Sequence, residues 1–188
     1  MNEVLDFWFG GANSPEFGKA RKNWFEKDLR FDAKVRSGFL PQYESAASGK
    51  LDHWQDWAQS CLALIILLDQ FPRNMFRGTP QAFNTDSKAL IAAEHAIKNQ
   101  FDRELVTVQK WFIYLPFEHS ENLEHQQKSV ELFRQLSGEP NSDLVIEFAL
   151  KHWEIINRFG RFPHRNQILG RETTPEEAEF LKQPGSGF

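Results

Sequence analysis

The chain of 188 residues is 40% apolar, which is enough for one domain with a substantial hydrophobic core. Its formal net charge of -4 argues against broad electrostatic binding to nucleic acid, which needs a sustained basic face. The single Cys61 excludes an internal disulfide and a multi-cysteine zinc site, and the longest apolar run, "CLALIILL", is too short to span a bilayer.

The N-terminal sequence "MNEVLDFWFG" bears on where the protein works. It is acidic and has no basic lead-in to a long apolar run, so it does not resemble a secretory signal. The cysteine content also favours a reducing compartment. We therefore expect a single domain over residues 1–188 in the cytoplasm, with neither a membrane nor nucleic acid as a partner. The oligomeric state is left open.

Helical periodicity dominates the first half of the chain. "VLDFWF", "KNWFEKDLRFDAKV" and "LPQYESAASGKL" are predicted to be short helices separated by glycine and proline signals. A central helix follows, and Pro72 is expected to end it at Phe71. Its apolar residues cover two faces, so it should be surrounded by protein. These residues are Trp57, Ala58, Cys61, Leu62, Ile65 and Leu68 on one face, and Leu64, Leu67 and Phe71 on the other.

Four more helical stretches follow the central helix. One is predicted from about Thr85, one from about Arg103 to Pro116, and one after Ser120, whose hydroxyl would cap it. The last of them carries an apolar stripe of Leu144, Phe148, His152, Ile155 and Phe159. Since no stretch alternates as a strand does, the prediction is an all-α fold of stacked antiparallel helical hairpins, closer to an irregular helical-repeat array than to a four-helix bundle.

Five motifs, in this order, carry a resemblance to a known family. They are "VLDFWFG", "LALIILLDQFPRNMFRGTPQAF", "YLPFEHSE", "RFGRFPHRN" and the ending "FLKQPGSGF". Together they resemble the bacterial domain-of-unknown-function family 924 over essentially the whole chain. The resemblance implies an all-helical, tetratricopeptide-repeat-like, right-handed array, and it implies no particular biochemical activity.

The chain twice ends an apolar run with Phe-Pro, a basic residue and Asn. In the first Phe-Pro segment, residues 67–78, Asp69, Gln70, Arg73 and Asn74 lie around the end of the most apolar helix. Such polar groups need partners or a cavity when they adjoin a buried helix. The alternative is that Arg73 and Arg77 interact with the last carbonyls of the helix and Asn74 fixes the turn.

The second Phe-Pro segment, residues 158–171, concentrates positive charge in an otherwise acidic chain. Arg158, Arg161, His164, Arg165 and Asn166 fit the binding of a carboxylate or phosphate, unless they form ion pairs with acidic residues of the same chain. A buried helix precedes each segment, so each segment should place its Phe in the core and its basic residue at the edge of the same helical stack. We predict that Arg73, Arg161 and Arg165 share one pocket.

The turn "FEHSE" is the third polar group. Helix capping would account for Ser120 and Glu121, whereas Glu118 and His119 are not needed for a cap. "HSE" lacks the paired cysteines of a zinc deaminase, and we expect no metal and no cofactor. Two other candidates are set aside, since His152 lies on an apolar face as a core residue would, and Cys61 lies among aliphatic neighbours as an inert thiol. His119 and Glu118 should lie at the pocket edge, with at least one of them hydrogen-bonded to the second Phe-Pro segment.

Three functions follow from these groups. The first is a pocket for a small anionic molecule, or for an acidic or C-terminal group of a protein or peptide. The second is a hydrolase or transferase in which His119 or His164 is the base and Glu118 or Glu121 orients it. The third is a structural scaffold without a ligand. The predicted ligand-binding residues are Asp69, Arg73, Asn74, Glu118, His119, Glu121, Arg158, Arg161, His164, Arg165 and Asn166.

The last residues of the chain give one further prediction. A short helix is expected from Pro175 to Leu181, ending before Pro184. The glycine-rich tail would ordinarily be flexible, but it ends on Phe188, a ring that gains by leaving water. We therefore expect Phe188 to contact apolar side chains of the helical stack.

Overall fold

The computed structural model describes residues 1–187, and within that range it contains helices and turns but no strand. The all-α prediction is confirmed. The α-helices are α1 (Asn2–Phe9), α2 (Leu29–Ala47), α3 (Ala58–Ile65), α4 (Phe71–Met75), α5 (Asp86–Lys98), α6 (Thr107–Glu118), α7 (Leu123–Arg134), α8 (Ser142–Phe159) and α9 (Pro175–Phe180). Short 3-10 turns lie between several of them, including Pro80–Phe83 and Pro163–Arg165.

Helices that follow one another along the chain also pack together. α3 lies on α5, α5 on α6, α6 on α7 and α7 on α8, while α2 packs on α4. Such local packing is what short connections between amphipathic helices produce. Among the described helices, none has both the length and the apolar composition that crossing a bilayer requires.

Aromatic rings fill much of the core. Phe71, which ends the first apolar run, is fully buried between Trp8, at 5.5 Å between ring centroids, and Phe39, at 4.9 Å. Phe112 of α6 meets Trp24 at 4.9 Å in an edge-to-face arrangement. Edge-to-face pairs place a positive ring edge on a negative ring face, so they add to the gain from burial. These contacts attach the N-terminal residues to the central helices.

A π-helical turn, Ile66–Gln70, joins α3 to α4 without a break. The prediction that Pro72 ends this helix at Phe71 is therefore wrong, because the helix continues to Met75. A proline in a helix leaves the carbonyl four residues earlier without its N–H donor. The Leu68 carbonyl, four residues before Pro72, accepts a hydrogen bond from the Thr85 hydroxyl at 2.6 Å. The wider turn and this side-chain donor accommodate the proline.

Other helix ends also differ from the predicted ones. Pro116 lies inside α6, which continues to Glu118, and this helix begins at Thr107 after a 3-10 turn rather than at about Arg103. The predicted cap at Ser120 is wrong, because Asn122 accepts the N–H groups at the start of α7. In the N-terminal part, α2 runs through Pro41 where separate helices were expected. Its buried face continues on both sides of the proline, so burial outweighs the lost hydrogen bond.

Three apolar residues predicted to face inward are exposed instead. Trp57 precedes α3 and is 77% exposed, while Leu144 and Phe148 of α8 are 55% and 40% exposed. The inward face of α8 is the neighbouring stripe with Val145, Ala149 and Ile156. At the C-terminal end, α9 forms where a short helix was predicted, with Thr174 as its cap. The predicted contact of Phe188 lies outside the described residues.

Candidate functional site

The two Phe-Pro segments meet at Asp86, the first residue of α5. Arg73 donates to both Asp86 oxygens at 2.8 and 3.1 Å, and Arg165 Nη1 lies 3.5 Å from Oδ2. Arg73 and Arg165 occupy the basic positions of the two segments, so their predicted convergence is present in the structure. Asp86 was not among the predicted site residues, because its place at a helix start was explained by capping alone.

Arg165 is almost fully enclosed by protein. Only 7% of the residue is exposed, and its guanidinium lies over the rings of Phe83, at 4.7 Å, and Phe162, at 4.5 Å. Nη2 donates to the backbone carbonyl of His119 at 3.1 Å. The Nε–H is buried and has no hydrogen-bond acceptor within residues 1–187. Burial, followed by the charge of Arg73, lowers the pKa of Arg165 to about 10.

Asp69 and His119 form a directly bonded pair. His119 Nδ1 lies 2.7 Å from Asp69 Oδ1, and the other carboxylate oxygen accepts from Gln70 at 2.6 Å. Burial alone would raise the pKa of Asp69, but the charge of Arg73 and the contact with His119 outweigh it and lower that pKa. The pKa of His119 is lowered by burial and then by Arg73. Nδ1 therefore carries the proton and donates it to an ionised carboxylate.

Glu118 and His152 are a second buried pair beside the first. His152 Nδ1 lies 3.1 Å from Glu118 Oε1 and donates to the Phe148 carbonyl at 2.8 Å. Burial and the charge of Asp69 raise the pKa of Glu118 to about 8, and burial lowers the pKa of His152 well below its ordinary value. Both groups are therefore neutral near pH 7, and their contact is not an ion pair. His152, set aside as a core residue, lies at the edge of this cluster.

A separate polar network attaches α9 to the rest of the protein. Arg161 pairs with both oxygens of Glu177 at 2.6 and 2.8 Å, and Asn166 donates to the same carboxylate at 3.2 Å. Arg158 bonds Glu176 at the surface. Arg161 thus lies with the C-terminal helix, and the structure does not bring its guanidinium onto the Asp86 carboxylate. Arg158 and Arg161 therefore form ion pairs within the chain, which was the alternative to anion binding at the second Phe-Pro segment.

Glu121 belongs to this network as well. It accepts from Arg171 at 2.6 and 3.0 Å and from the Phe162 backbone N–H at 2.7 Å. Burial would raise its pKa, but these donors lower it. The Glu121 carboxylate bonds Arg171 and Phe162, so it does not cap α7. His119 is oriented by Asp69 rather than by Glu118 or Glu121. Asp69 lies 50 residues earlier in the chain, and no spacing pattern in the sequence links the two residues.

Two predicted site residues lie apart from Asp86. Asn74 donates to Asp32 at 2.8 Å, and Arg77 pairs with the same carboxylate, which fixes α4 on α2. His164 packs beside Phe162, and burial, reinforced by Arg165, lowers its pKa to about 4. Among the residues described, no group of three His, Cys, Asp or Glu side chains is arranged to hold a metal ion.

Comparisons with known proteins agree with the fold. A comparison with curated proteins gave no match. Among solved structures, the chain is similar to a protein of unknown function from Agrobacterium tumefaciens, with 41% sequence identity and a TM-score of 0.85 over 96% of this chain and 95% of that one. A family model described as a bacterial protein of unknown function, DUF924, matches residues 4–185. By sequence and by fold, the chain belongs to this DUF924 family.

Proposed function

We propose that the protein binds a small anionic molecule, or the carboxylate end of a peptide, at Arg165. The observation that carries this proposal is the Nε–H of Arg165, a charged donor that is buried and has no acceptor among the described residues. A buried donor without a partner costs free energy. An anionic oxygen placed there removes that cost and also compensates the charge that burial disfavours.

Other arginines of the chain indicate what this edge of Arg165 would accept. Arg77 uses Nε and Nη2 to hold both oxygens of Asp32, and Arg161 uses the same two atoms for Glu177. This side-on geometry matches a planar carboxylate. Arg165 carries the same edge, but its protein carboxylate contact is a single one of 3.5 Å to Asp86 through Nη1. A carboxylate is therefore the anion that fits best.

The surroundings of Arg165 favour a ligand with a single negative charge. Arg73 is already held by Asp86 and Asp69 through its two terminal nitrogens, and its charge still adds positive potential at Arg165. His119 is neutral, and the Arg165 guanidinium is the one in this cluster whose Nε–H is buried without an acceptor among the described residues. A dianion would demand more donors than these groups supply.

We also propose that the helices form a tetratricopeptide-repeat-like array that works in the bacterial cytoplasm. The packing of each helix from α6 to α8 on its predecessor supports the array. In this arrangement three residues from distant parts of the chain lie at the same end of the helices. They are Asp86 at the start of α5, His119 after α6 and Arg165 after α8. The competing proposal is a structural scaffold without a ligand. It accounts well for Arg158 and Arg161, which are both paired with glutamates of α9.

Calorimetric titration tests the proposal against the scaffold. Acetate, glutarate and inorganic phosphate would each be titrated into the protein, into Arg165→Gln and into Arg158→Gln, which removes an exposed arginine as a matched control. We expect a carboxylate to bind the unchanged protein and Arg158→Gln alike. Loss of a charged hydrogen bond should weaken binding to Arg165→Gln by roughly 10- to 100-fold. Equal affinity in all three proteins, or heat from none of them, contradicts the proposal.

A further inference from the structure

We infer that His119, oriented by Asp69, is a general base that activates water to hydrolyse an ester or amide in a small substrate whose carboxylate is held at Arg165. This inference rests on the proposed function, because Arg165 supplies the substrate anchor. It adds a reaction to the binding site and assigns Asp69 as the positioning residue.

Asp69 is placed so that only one orientation of His119 is favourable. It lies fully buried in the π-helical turn, with one oxygen on Gln70 and the other on His119 Nδ1. Arg73 also donates to the Asp69 backbone carbonyl at 2.7 Å, which fixes that turn. π-helical turns inside α-helices occur frequently at functional sites, since they shift side chains out of the regular register.

The other nitrogen of His119 is available to a substrate. Nε2 makes no hydrogen bond to the residues that the structure describes, and 14% of the His119 side chain is exposed. Because Nδ1 holds the proton, Nε2 carries the lone pair that a general base needs. The lowered pKa keeps the ring neutral, and thus able to accept a proton, at neutral pH. The charged and titratable groups around the ring are Asp69, Arg73, Asp86, Glu118, His152 and Arg165.

Arg165 and His119 are close enough to act on one small molecule. The guanidinium donates to the backbone carbonyl of His119 at 3.1 Å, so the anchor contacts the residue that carries the base. We propose that a carboxylate at the Arg165 Nε–H leaves the next few atoms of the substrate within reach of the imidazole. Holding a reacting group next to its base is a large part of what an enzyme contributes.

Water is the nucleophile that we assign to His119. Ser120 is next to His119 in sequence, but its hydroxyl contacts the ring of His125, at 2.8 Å, and no contact with the ring of His119 is present among the described residues. Cys61 is buried, and burial raises the pKa of its thiol to about 12, so it is not a thiolate. In the reaction, water gives a proton to His119 Nε2 while its oxygen bonds to the acyl carbon. The acyl–oxygen or acyl–nitrogen bond then breaks, and the leaving group takes that proton from His119, which returns to its neutral form.

The test uses 4-nitrophenyl monoesters of glutarate and adipate, with 4-nitrophenyl butyrate as the neutral control and the uncatalysed rate subtracted. We expect the monoesters to be preferred by at least about 10-fold in kcat/KM, because only they bear the anchored carboxylate. His119→Gln should lower kcat by roughly 10²- to 10⁴-fold with little change in KM. His53→Gln, which alters an exposed histidine, should leave the rates unchanged.

Two readouts separate catalysis from a structural effect. Added imidazole should restore part of the activity of His119→Ala. Because burial and Arg73 lower the pKa of His119 from its ordinary 6.5, kcat/KM should fall on the acid side at a pH below that value. In Asp69→Asn, kcat should decrease by a larger factor than KM changes. Glutarate binding without ester turnover overturns the general base and leaves the proposed binding intact. Turnover that survives His119→Gln also overturns it, and absence of glutarate binding counts against the proposed function itself.

Discussion

Arg165 donates a hydrogen bond to the backbone carbonyl of His119, 46 residues earlier in the chain, and so joins the second Phe-Pro segment to the turn after α6. This contact links a buried guanidinium to the residue whose imidazole is held by Asp69. The burial of a charge with an open Nε–H is what points to a ligand.

Removing the carboxylate that Arg73 and Arg165 share should destabilise the protein. In Asp86→Asn two positive charges remain without their common counter-charge. The side chain of Asp86 is 21% exposed, so we expect a loss of about 1–3 kcal/mol in the free energy of unfolding, less than a fully buried pair would cost. Urea unfolding measures it, with exposed Asp56→Asn as the control. Equal stability of the two variants would show that Asp86 is not the shared counter-charge.

The hydrogen bond from Thr85 to the Leu68 carbonyl, four residues before Pro72, gives a second prediction. Thr85→Val keeps the side-chain shape but removes the donor to the Leu68 carbonyl. We expect it to cost about 1–3 kcal/mol in the free energy of unfolding, because a buried acceptor is left unsatisfied. Thr79→Val is the matched control, since Thr79 makes a similar bond to the Phe76 carbonyl in an exposed place and should cost less than about 0.5 kcal/mol.

Glu118 should make stability depend on pH. Burial raises its pKa from 4.5 to about 8, so between these values the folded protein binds a proton that the unfolded chain has released. Stability from this group is therefore complete below pH 4.5 and falls as the pH rises through 8. Glu118→Gln, which stays neutral, should flatten this part of the profile. Thermal unfolding across the range measures it, and parallel curves for both proteins would contradict the assignment.

The C-terminal residues should affect the titration of His164. Gly187 lies against this side chain, since a Cβ placed on it would be 3.5 Å from His164 Cβ. Burial is the main reason that the pKa of His164 is lowered to about 4. Truncation after Gln183 should therefore raise the His164 pKa toward 6.5, as followed by NMR of the histidine ring protons. An unmoved pKa would mean that other residues bury His164.

The sequence was informative about the helices and less so about their ends. Apolar periodicity identified the buried central helix correctly, because burial on two faces leaves a clear pattern in the chain. It placed the end of that helix at Phe71 because proline ordinarily breaks helices. The donor that tolerates Pro72 comes from Thr85, and such a distant hydrogen bond leaves no local trace.

The candidate site was foreseeable in part for the same reason. The two Phe-Pro segments correctly predicted that Arg73 and Arg165 lie close together. Each arginine follows a buried helix, and both contact Asp86. Arg161 differs because it follows Gly160, whose left-handed backbone turns the chain toward α9 and Glu177. Asp86 and His152 were missed because each had a sufficient local explanation, as a helix start and as an apolar-face histidine.

The most direct test of carboxylate binding at Arg165 observes the Nε–H itself. Glutarate would be titrated while the arginine Nε–H signals are followed by proton–nitrogen NMR, with Arg165→Lys used to assign the signal. We predict a saturable shift of the Arg165 signal. The Arg161 signal, already bonded to Glu177 at 2.6 Å, should stay in place in the same spectra. A stationary Arg165 signal, or equal shifts of both, would contradict the account.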